Sequence, residues 1–456
     1  MKEVIAVFDI GKTNKKLVLF DNHFQVLYEN ERKMNTIKDE DGFECDDIDL
    51  ITTWISNSLK EIILQKKYDL AGVNFSTYGA SLMFLDKKEN RLTPLYNYLK
   101  EIPSSVSGEL FVEYDGKNEF CRKTASPALG ALLNSGIQIL WLQKEKPEIY
   151  REIETILHFP QYLSFVLTGK VVSEPTSIGC HTFMWDFDKM DYHDWLKDKN
   201  ITLPEPVSNK SVFPVNVMSS DFKVGTGIHD SSASLVPYLK GSSEEFILVS
   251  TGTWCINMNP FNKEPLTAEQ LQNDCLCYLT PEKEQVKSSR LFMGHFHENW
   301  SEKLARHFGV ANSFYKTVKR NDNLIESLVN EYGQISEFFP KGKESFEEGL
   351  QNVDLAIFKS YEESYTKFMV DLTDVCVESI QLVIPEVDNT KILYVTGGFA
   401  RNEIFIYLLQ KKFPNKKVIV SEIDNATALG AALVIADTFS NPAFSELSLQ
   451  SNHKID

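Results

Sequence analysis

The feature that most constrains the fold of this chain is a pair of strands joined by a glycine-containing turn, which occurs once in each half. In the first half, VIAVFDI and KKLVLF meet at Gly11-Lys12-Thr13, and in the second half, EEFILVS and WCINMNP meet near Gly252-Thr253. A helical stretch and a further strand-like run follow in both halves. This similar element order predicts two α/β lobes built on one plan.

Each half also contains the other strands and helices of such a lobe. EVIAVFDI, KLVLFD and FQVLYENER predict an antiparallel meander, DDIDLITTWISNSLKEIILQKK predicts a helix, and DLAGVNFSTYG predicts a buried strand. In the second half, the apolar residues between Phe358 and Val375 predict a long helix. KILYVTGGFA, RNEIFIYLLQKKF, KKVIVSE and NATALGAALVIA then predict a strand, a helix, a strand and a helix.

The length and composition agree with two domains. A chain of 456 residues with 43% hydrophobic and 12% aromatic residues can fill two cores. We place the boundary in the polar stretch Lys240-Gly241-Ser242-Ser243. This predicts one domain over residues 1–241 and a second over residues 242–456.

The charge and cysteine content exclude several classes of function. With 64 acidic and 47 basic residues, the formal charge is −17, which argues against a general nucleic-acid-binding surface. The sequence has no apolar run long enough to cross a bilayer and no signal-peptide pattern, so we expect no membrane association. Seven cysteines without a C-x-x-C pair indicate a reduced, cytoplasmic protein, and Cys275 with Cys277 alone does not predict a metal site.

The first turn has three possible interpretations: a phosphate cradle, a metal site or a polar turn. A P-loop is rejected because its pattern requires glycine where Ala6 stands and must open a helix, whereas strand-forming residues follow here. A β-turn can nonetheless direct backbone N–H groups at phosphate oxygens. We predict phosphate binding by the turn up to Asn14, an added charge from Lys16, and Mg²⁺ binding at Asp9.

Two turns in the second half favour a nucleotide site. STGTW is a second glycine-threonine hairpin, and two such hairpins facing each other across a cleft would hold phosphates from both lobes. VTGGFARN is a strand that ends in Gly397 and Gly398 and enters a helix at Asn402. Paired glycines allow a flat adenine to approach the backbone closely, although on their own they more often indicate close packing.

The segment VGTGIHDSSASL contains the carboxylate best suited to catalysis. Asp230 follows a glycine-rich strand end and precedes small residues typical of a helix start. It is either a general base that accepts a hydroxyl proton during phosphoryl transfer or a helix N-cap, a role that Ser231 or Ser232 can also fill. We predict that Asp230 is the base and that His229 has a packing or hydrogen-bonding role.

The segment FMGHFHENW places His295 and His297 two residues apart. This spacing suits neighbours on one face of a strand. Because no third ligand of metal type is nearby in sequence, we predict that both histidines have structural or cleft-lining roles.

Five motifs occur in an order typical of one family: DIGKTNKK, GIHDSSASL, STGTW, TGGFARN and NATALGAAL. The chain resembles the FGGY carbohydrate kinases of the actin-like ATPase fold, and most closely their rhamnulokinase and fuculokinase branch. The resemblance spans nearly the whole chain. It implies an α/β fold with two actin-like ATPase (ribonuclease H-like) domains and an interdomain cleft.

The resemblance also implies roles for individual residues. It makes Asp230 the catalytic base and places Asp9 in the region of Mg²⁺ and phosphate. The two glycine turns, Gly11 to Asn14 and Gly252-Thr253, would hold phosphates. Gly397, Gly398 and Asn402 would flank the adenosine.

The sugar is implied to lie against the loop STYGASLMFLD, where Tyr78 would stack on it and Thr77 and Ser81 would reach its hydroxyls. The chain departs here from its relatives. Ser81 and Gln161 stand where aspartate is common, and Lys100 ends a segment that is acidic or Arg-Asp in many members. Loss of carboxylates at sugar hydroxyls changes which sugar is favoured, so the substrate is open.

The resulting prediction is an ATP- and Mg²⁺-dependent kinase that phosphorylates a terminal hydroxyl of a ketose or deoxyketose, such as a rhamnulose-like sugar. It would act on a small molecule as a monomer or homodimer. One alternative is a xylulose-, fuculose- or other polyol-type kinase. A second alternative is an actin-fold ATPase or sensor that transfers nothing to a sugar.

Overall fold

The computed structural model describes residues 1–332, 337–339, 353–421, 423–444 and 449. Up to residue 229 the strands are β1 (Lys2–Ile10), β2 (Lys15–Phe20), β3 (Val26–Arg32), β4 (Thr36–Lys38), β5 (Glu44–Asp46), β6 (Tyr68–Thr77), β7 (Leu82–Leu85), β8 (Thr155–His158), β9 (Trp185–Asp186), β10 (Asp191–Tyr192), β11 (Val212–Val217), β12 (Ser220–Gly225) and β13 (Ile228–His229). The helices of this part are α1 (Ile48–Gln65), α2 (Ser105–Glu113), α3 (Gly116–Lys123), α4 (Gly136–Glu145), α5 (Pro147–Tyr150), α6 (Phe159–Thr168), α7 (Pro175–Ile178) and α8 (Asp194–Asp198).

The second half of the chain begins with a helix and continues with a second set of strands. Its helices are α9 (Asp230–Gly241), α10 (Ala268–Gln272), α11 (Met293–Phe308), α12 (Asp322–Tyr332), α13 (Tyr361–Gln381), α14 (Glu403–Lys412) and α15 (Ala426–Val434). Its strands are β14 (Phe246–Thr251), β15 (Cys255–Asn259), β16 (Leu276–Leu279), β17 (Gln285–Leu291), β18 (Ile392–Gly397) and β19 (Lys417–Val420).

The two large sheets share one plan. In the first sheet, β1, β2 and β3 form an antiparallel meander and β6 pairs in parallel with β1. In the second sheet, β14 pairs antiparallel with β15 and β15 with β17, while β18 pairs in parallel with β14. The predicted meander and the predicted element order of both halves are confirmed.

The central strand β1 is apolar from Val4 to Phe8 because both faces of the first sheet are covered. Val4, Ala6 and Phe8 pack on one face with α1 residues such as Trp54. The alternate residues, Ile5 and Val7, pack on the other face against α9 and α15. A strand buried on both faces loses the alternation of apolar and polar residues, which explains the continuous apolar run.

Helices α9 and α15 cross at very close range on the first sheet. A Cβ atom on Gly430 of α15 would lie 1.8 Å from the carbonyl oxygen of Ala233 in α9. Asn74 of β6 donates a hydrogen bond to the carbonyl of Ala431 at 2.8 Å, which ties α15 to the same sheet. The boundary at residue 241 stays a prediction, since α15 packs on the first sheet although it follows the second.

Among the described residues, no helix is long and apolar enough to span a membrane. All seven cysteines lie within the described ranges, are buried and form no disulfide.

We predict that Gly430→Ala destabilises the protein, because the new methyl group overlaps the Ala233 carbonyl. Overpacking of this kind costs about 1–3 kcal/mol, and thermal unfolding measures it as a lower Tm.

The matched control is Gly108→Ala in α2, where a Cβ would meet no atom within 4 Å. This change should leave the Tm unchanged or raise it, because alanine is favoured over glycine in a helix by about 1 kcal/mol. Equal effects of the two substitutions would contradict the crossing.

Candidate active site

The polar residues at the end of β1 lie at the carboxyl end of the first sheet. Asp9 is opposite Lys16 in the pairing with β2 and opposite Ser76 in the pairing with β6. The turn is tight, because a Cβ on Gly11 would lie 3.1 Å from the carbonyl oxygen of Asn14. A strand follows the turn directly, so the rejection of a P-loop is confirmed.

The side chain of Lys12 belongs to a set of interacting residues that we call the Asp46 cluster (Lys12, Lys15, Asp46 and Tyr78). Asp46 accepts hydrogen bonds from Lys15 Nζ at 2.7 Å, from Lys12 Nζ at 2.9 Å and from the Tyr78 hydroxyl at 2.6 Å. Burial by itself raises the pKa of Asp46, but these hydrogen bonds outweigh it and hold that pKa below its ordinary value. Lys12 Nζ also lies 5.5 Å from the centre of the Tyr98 ring. The Lys12 side chain is therefore engaged within the first lobe, which revises its predicted role as a phosphate ligand.

Two carboxylates from distant parts of the chain interact in this region. Burial and the charge of Asp230 raise the pKa of Asp9 to about 7, against the opposing effects of Lys16 and a hydrogen bond from Ser76. Burial also raises the pKa of Asp230 to about 6, although hydrogen bonds from Ser231 oppose the rise. Such a pair marks a place where a cation is favoured.

Asp230 is held through one carboxylate oxygen. Its Oδ1 atom accepts a hydrogen bond from the Ser231 backbone N–H at 2.6 Å and lies 3.1 Å from His229 Nε2. Asp230 is the first residue of α9, with His229 at the N-cap position, so the alternative role of N-cap is not the one observed. The Asp230 side chain is 35% exposed, which leaves Oδ2 accessible to a substrate.

A buried network supports the segment before Asp230. Glu174 accepts a hydrogen bond from the Thr176 hydroxyl at 2.8 Å, and that hydroxyl accepts one from the His229 backbone N–H at 3.0 Å. Gln161 Nε2 donates to Glu174 at 3.3 Å and to the Thr226 carbonyl at 3.1 Å. Because Gln161 is fully buried, the structure does not bring it to the cleft, and its predicted sugar contact gives way to a supporting role.

The other predicted sugar contacts are also buried. Thr77 donates its hydroxyl to the Tyr78 carbonyl at 2.9 Å, and the Tyr78 ring packs against Tyr98 and Phe159. Ser81 is 1% exposed, and its hydroxyl lies 3.4 Å from the Gly79 carbonyl oxygen. The site is therefore supported from beneath by Thr77, Tyr78 and Ser81, which do not form its exposed surface.

Lys100 also points away from the sugar side. Its Nζ atom pairs with Asp39 at 2.6 Å and with Asp41 at 2.5 Å, and it lies 4.9 Å from the centre of the Trp141 ring. The departure from the family pattern at this position therefore does not place a free charge in the cleft.

Two half-buried residues that sequence reasoning missed lie near Asp230. Burial and the charges of Asp230 and Asp46 raise the pKa of Tyr98. His181 Nδ1 lies 2.8 Å from the carbonyl oxygen of Leu133, so Nδ1 carries the proton and Nε2 is left as an acceptor. Tyr98 lies within the segment 97–100 that departs from the family pattern, but it was given no role, whereas His181 had no motif to identify it.

Lys16 bridges the first turn and the C-terminal helix. Its Nζ atom lies 3.3 Å from Glu29 Oε1 and donates to Asn425 Oδ1 at 3.1 Å. Asn425 directly precedes α15. Lys16 thus remains beside Asp9 as the cation of the first turn.

The carboxyl ends of β14 and β18 bring the two glycine turns of the second sheet together. Thr251 is opposite Gly397 in their pairing. Gly397 has a φ of +86°, and a Cβ there would lie 1.7 Å from the Thr251 carbonyl oxygen, so only glycine fits. Gly294, at the start of α11, also packs closely against the first of these turns, since a Cβ on it would lie 2.4 Å from the Gly252 carbonyl oxygen.

A cavity of about 500 Å³ opens beside these turns and is lined by Gly252, His297, Tyr315, Gly398 and Asn402, among others. Thr253 lines an adjoining cavity of about 430 Å³ together with Gly252 and His297. The structure therefore brings the predicted residues of the second half into one region.

The Asn402 side chain is already committed to other groups. Its Oδ1 atom accepts hydrogen bonds from the backbone N–H groups of Ile404 and Phe405, which caps α14, and its Nδ2 atom donates to the Tyr365 hydroxyl at 3.1 Å. Its predicted side-chain contact with adenosine is revised to a role as a cap at the edge of the cavity.

His295 and His297 lie on α11 and not on a strand. Residues two apart on a helix face different sides, so the predicted common face is wrong. His297 lines the cavity, and its Nε2 lies 2.9 Å from the Tyr365 hydroxyl. The predicted cleft-lining role of His297 agrees with this position.

The donor set near Asp9 fits a magnesium ion. Mg²⁺ prefers oxygen ligands, keeps several waters and takes few carboxylates. Asp9 and Asp230 supply such oxygens. Burial is the largest cause of the raised pKa of Asp9, and the charge of Asp230, the second cause, would also attract a cation.

Two matched mixed sheets, with glycine turns at their carboxyl ends, define the two-lobed actin-like ATPase fold. Residues 4–228 match the family model "FGGY family of carbohydrate kinases, N-terminal domain", and residues 243–442 match "Carbohydrate kinase FGGY, C-terminal domain". The chain belongs to the FGGY family of carbohydrate kinases and is an ATP-dependent sugar kinase.

Relatives with known names are distant but cover the chain well. The chain is 23% identical over 440 residues to a rhamnulokinase from Halalkalibacterium halodurans, which covers 92% of this chain and 88% of that protein. The structure of a carbohydrate kinase from Novosphingobium aromaticivorans superposes with a TM-score of 0.77 at 24% identity, covering 96% of this chain and 92% of that one. A ligand-bound xylulose kinase from Lactobacillus acidophilus gives a TM-score of 0.75 at 16% identity, covering 98% and 91%.

We predict that Asp9→Asn stabilises the protein in Mg²⁺-free buffer at neutral and alkaline pH. The folded protein raises the pKa of Asp9 from 3.8 to about 7, so an ionised Asp9 opposes folding. The Tm of the variant should therefore exceed that of the wild type at pH 8, as measured by thermal unfolding.

The pH dependence provides the control. The advantage of the variant should be absent where Asp9 is protonated in both states, grow as the pH rises from about 4 to 7, and then stay constant. A gain that does not change with pH would contradict the carboxylate pair.

Proposed function

We propose that this kinase transfers the γ-phosphoryl group of ATP to a terminal hydroxyl of a ketose or deoxyketose, with a rhamnulose-like sugar as the first candidate. The observation that carries the proposal is the position of Asp230, the first residue of α9, with its carboxylate 35% exposed. Its charge also raises the pKa of both Asp9 and Tyr98. The rhamnulokinase relatives favour the deoxyketose. The similar fold of a xylulose kinase supports xylulose, fuculose or another polyol as the alternative substrate.

Asp230 is the proposed general base. Oδ1 is occupied by Ser231 and His229, so Oδ2 accepts the proton of the sugar hydroxyl as the new O–P bond forms and the bond to ADP breaks. With a pKa of about 6, Asp230 is mainly ionised at pH 7 but remains basic enough to accept a proton. A carboxyl group of ordinary pKa would be a weaker base.

The proposed phosphate ligands come from both lobes. The backbone N–H groups of Gly11 to Asn14 and of Thr253 would bind phosphate oxygens, and Lys16 adds a charge. Gly252 shapes the second turn, since its own N–H donates to the Trp254 carbonyl at 3.0 Å. The adenosine lies in the cavity beside Gly398 and Tyr315. Mg²⁺, held at Asp9, would offset the negative charge of the phosphates when bound.

The proposed acceptor side combines one donor and one acceptor near Asp230. Lys12 Nζ, fixed by Asp46, can donate to sugar oxygens beside the Tyr98 ring. His181 can accept a sugar hydroxyl at Nε2, because Nδ1 donates to Leu133. A site that pairs particular hydroxyls rejects isomers that leave these groups unpaired.

We retain a cytoplasmic location and a monomer or homodimer as part of this proposal, in line with the buried thiols. The family assignment speaks against the alternative of an ATPase or sensor without sugar transfer.

The test is a coupled ADP-release assay over pentuloses, hexuloses and 6-deoxyketoses, comparing the wild type with Asp230→Asn. We expect ADP release that depends on one of these sugars and a kcat about 10²–10⁴-fold lower in the variant, with the KM for ATP nearly unchanged. The wild-type kcat should also fall as the pH drops below about 6, because Asp230 becomes protonated.

Two outcomes would contradict this proposal. One is ATP hydrolysis that is never coupled to a phosphorylated sugar. The other is an Asp230→Asn variant that turns over like the wild type.

A second prediction separates the two lysines of the first hairpin. Lys12→Gln should raise the KM for the sugar roughly tenfold and leave the KM for ATP unchanged, because a hydrogen bond from a charged donor is lost on the sugar side. Lys16→Gln is the matched variant and should raise the KM for ATP instead, since Lys16 lies beside Asp9. Steady-state kinetics with each substrate varied in turn measures both effects, and an increase in the ATP KM of Lys12→Gln alone would reverse the assignment.

A further inference from the structure

A cluster of soft ligand atoms lies directly beside Asp230. One ligand atom from each of Cys180, His181 and His229 lies within 4.8 Å of the other two, and Cys180 Sγ is 3.1 Å from His229 Nε2. The cluster joins the segment after α7 to the end of β13. It is closed on one side by Gly79, where a Cβ would lie 2.9 Å from Cys180 Sγ and 3.1 Å from His229 Nε2.

One of the two histidines is oriented as metal ligands usually are. A metal-binding histidine typically donates its second ring N–H to a carbonyl or carboxylate, as His181 Nδ1 does to Leu133 at 2.8 Å. His229 is held through its backbone N–H by Thr176. Its Nδ1 atom has no hydrogen-bond partner among the described residues, so a change of tautomer that frees Nε2 breaks no bond at Nδ1.

The charges around the cluster also suit a cation. Burial lowers the pKa of His229 to about 3 and that of His181 to about 4, so both rings are neutral ligands at neutral pH. Burial, and then the charges of Asp230 and Glu174, raise the pKa of the Cys180 thiol, while the charge of Arg290 opposes that rise. The two carboxylates attract a cation, and a bound cation lowers the pKa of the thiol. Asp230 supplies a negative charge 3.1 Å from His229 Nε2.

We propose that Cys180, His181 and His229 form a binding site for a borderline-soft divalent cation of the Zn²⁺ type. The cation binds Cys180 Sγ, His181 Nε2 and His229 Nε2, which is a three-ligand set of sulfur and nitrogen that leaves a fourth position open. Mg²⁺ prefers oxygen ligands and does not compete for this set.

Binding releases one proton and changes no oxidation state. The S–H bond of Cys180 breaks, its proton goes to solvent, and a bond from sulfur to the metal forms. At His229 the proton moves from Nε2 to Nδ1, and the bond from Nε2–H to Asp230 is lost.

Occupancy of this site inhibits the kinase, an effect that rests on the proposed role of Asp230. The cation takes His229 away from Asp230 Oδ1 and places a positive charge next to the base, which lowers its basicity. The inhibition therefore affects the removal of the proton from the sugar hydroxyl. It persists when Mg²⁺ and ATP are saturating.

The direct test is a titration of the reduced full-length protein with Co²⁺, a spectroscopic substitute for Zn²⁺. We expect one ion per chain with a near-ultraviolet thiolate-to-cobalt charge-transfer band, and displacement of Co²⁺ by Zn²⁺. Cys180→Ser should remove the band and weaken Zn²⁺ binding at least about 100-fold. Cys121→Ser, which removes another buried thiol in α3, is the matched control and should keep both.

His181→Gln provides a second variant at a half-buried position if Cys180→Ser does not fold. It should weaken Zn²⁺ binding while Cys180 remains. The absence of a thiolate band in the wild type, or equal affinity in Cys180→Ser, His181→Gln and Cys121→Ser, would overturn the site.

The kinase assay tests the inhibition separately. Zn²⁺ at concentrations that displace Co²⁺ should reduce the wild-type kcat at saturating Mg²⁺-ATP, and saturating sugar should not restore it, because the cation lowers the basicity of Asp230 in the sugar-bound enzyme as well. A wild-type rate that does not change at these concentrations would overturn the inhibitory role. The metal titration needs no turnover, so a failure of the proposed sugar substrate leaves its result readable.

Discussion

The close packing of α9 against α15 on the first sheet determines where Asp230 lies. Gly430 lets the two helix backbones approach, and the apolar side chains of both helices cover the face of β1 that carries Ile5 and Val7. Burial of each large aliphatic side chain contributes about 1.5–3 kcal/mol, which is enough to hold a carboxylate near Asp9 against their mutual repulsion. The unfavourable pair of carboxylates, Asp9 and Asp230, is thus held together by apolar packing elsewhere in the lobe. Such a compromise is common where function opposes stability.

The two sides of the site use different chemistry. On the first lobe, the carboxylate of Asp46 compensates the buried Lys15 and the half-buried Lys12, and it fixes the direction of Lys12 through a hydrogen bond at 2.9 Å. A buried charge requires such pairing, so these side chains have little freedom. On the second lobe, the glycines at the ends of β14 and β18 provide backbone groups and open space. One side is therefore suited to particular hydroxyls and the other to a polyanion.

Sequence reasoning identified the elements whose signal is local. The continuous apolar runs of β1 and β14 and the glycines at their ends predicted buried strands and turns correctly. It was less successful with side-chain direction: Gln161 and Ser81 were expected to face the sugar but are buried. His295 and His297 were assigned to a strand because a short segment gives no clear period, whereas it begins the helix α11. Tyr98 and His181 lie outside the helices and strands, so no hydrophobic periodicity indicated their positions.

The amino-acid sequence by itself determined the two-lobe plan, the turns and the family, because apolar periodicity, turn residues and motif order are properties of neighbouring positions. Only the tertiary structure decided which polar side chains at the ends of strands and helices lie close to one another. The charge of Asp230 raises the pKa of Asp9, although the two residues are far apart in sequence. Cys180 Sγ lies close to His229 Nε2 although 49 positions separate the two residues. Desolvation and charge interactions depend on distances in space, which are set by the packing of segments from the whole chain.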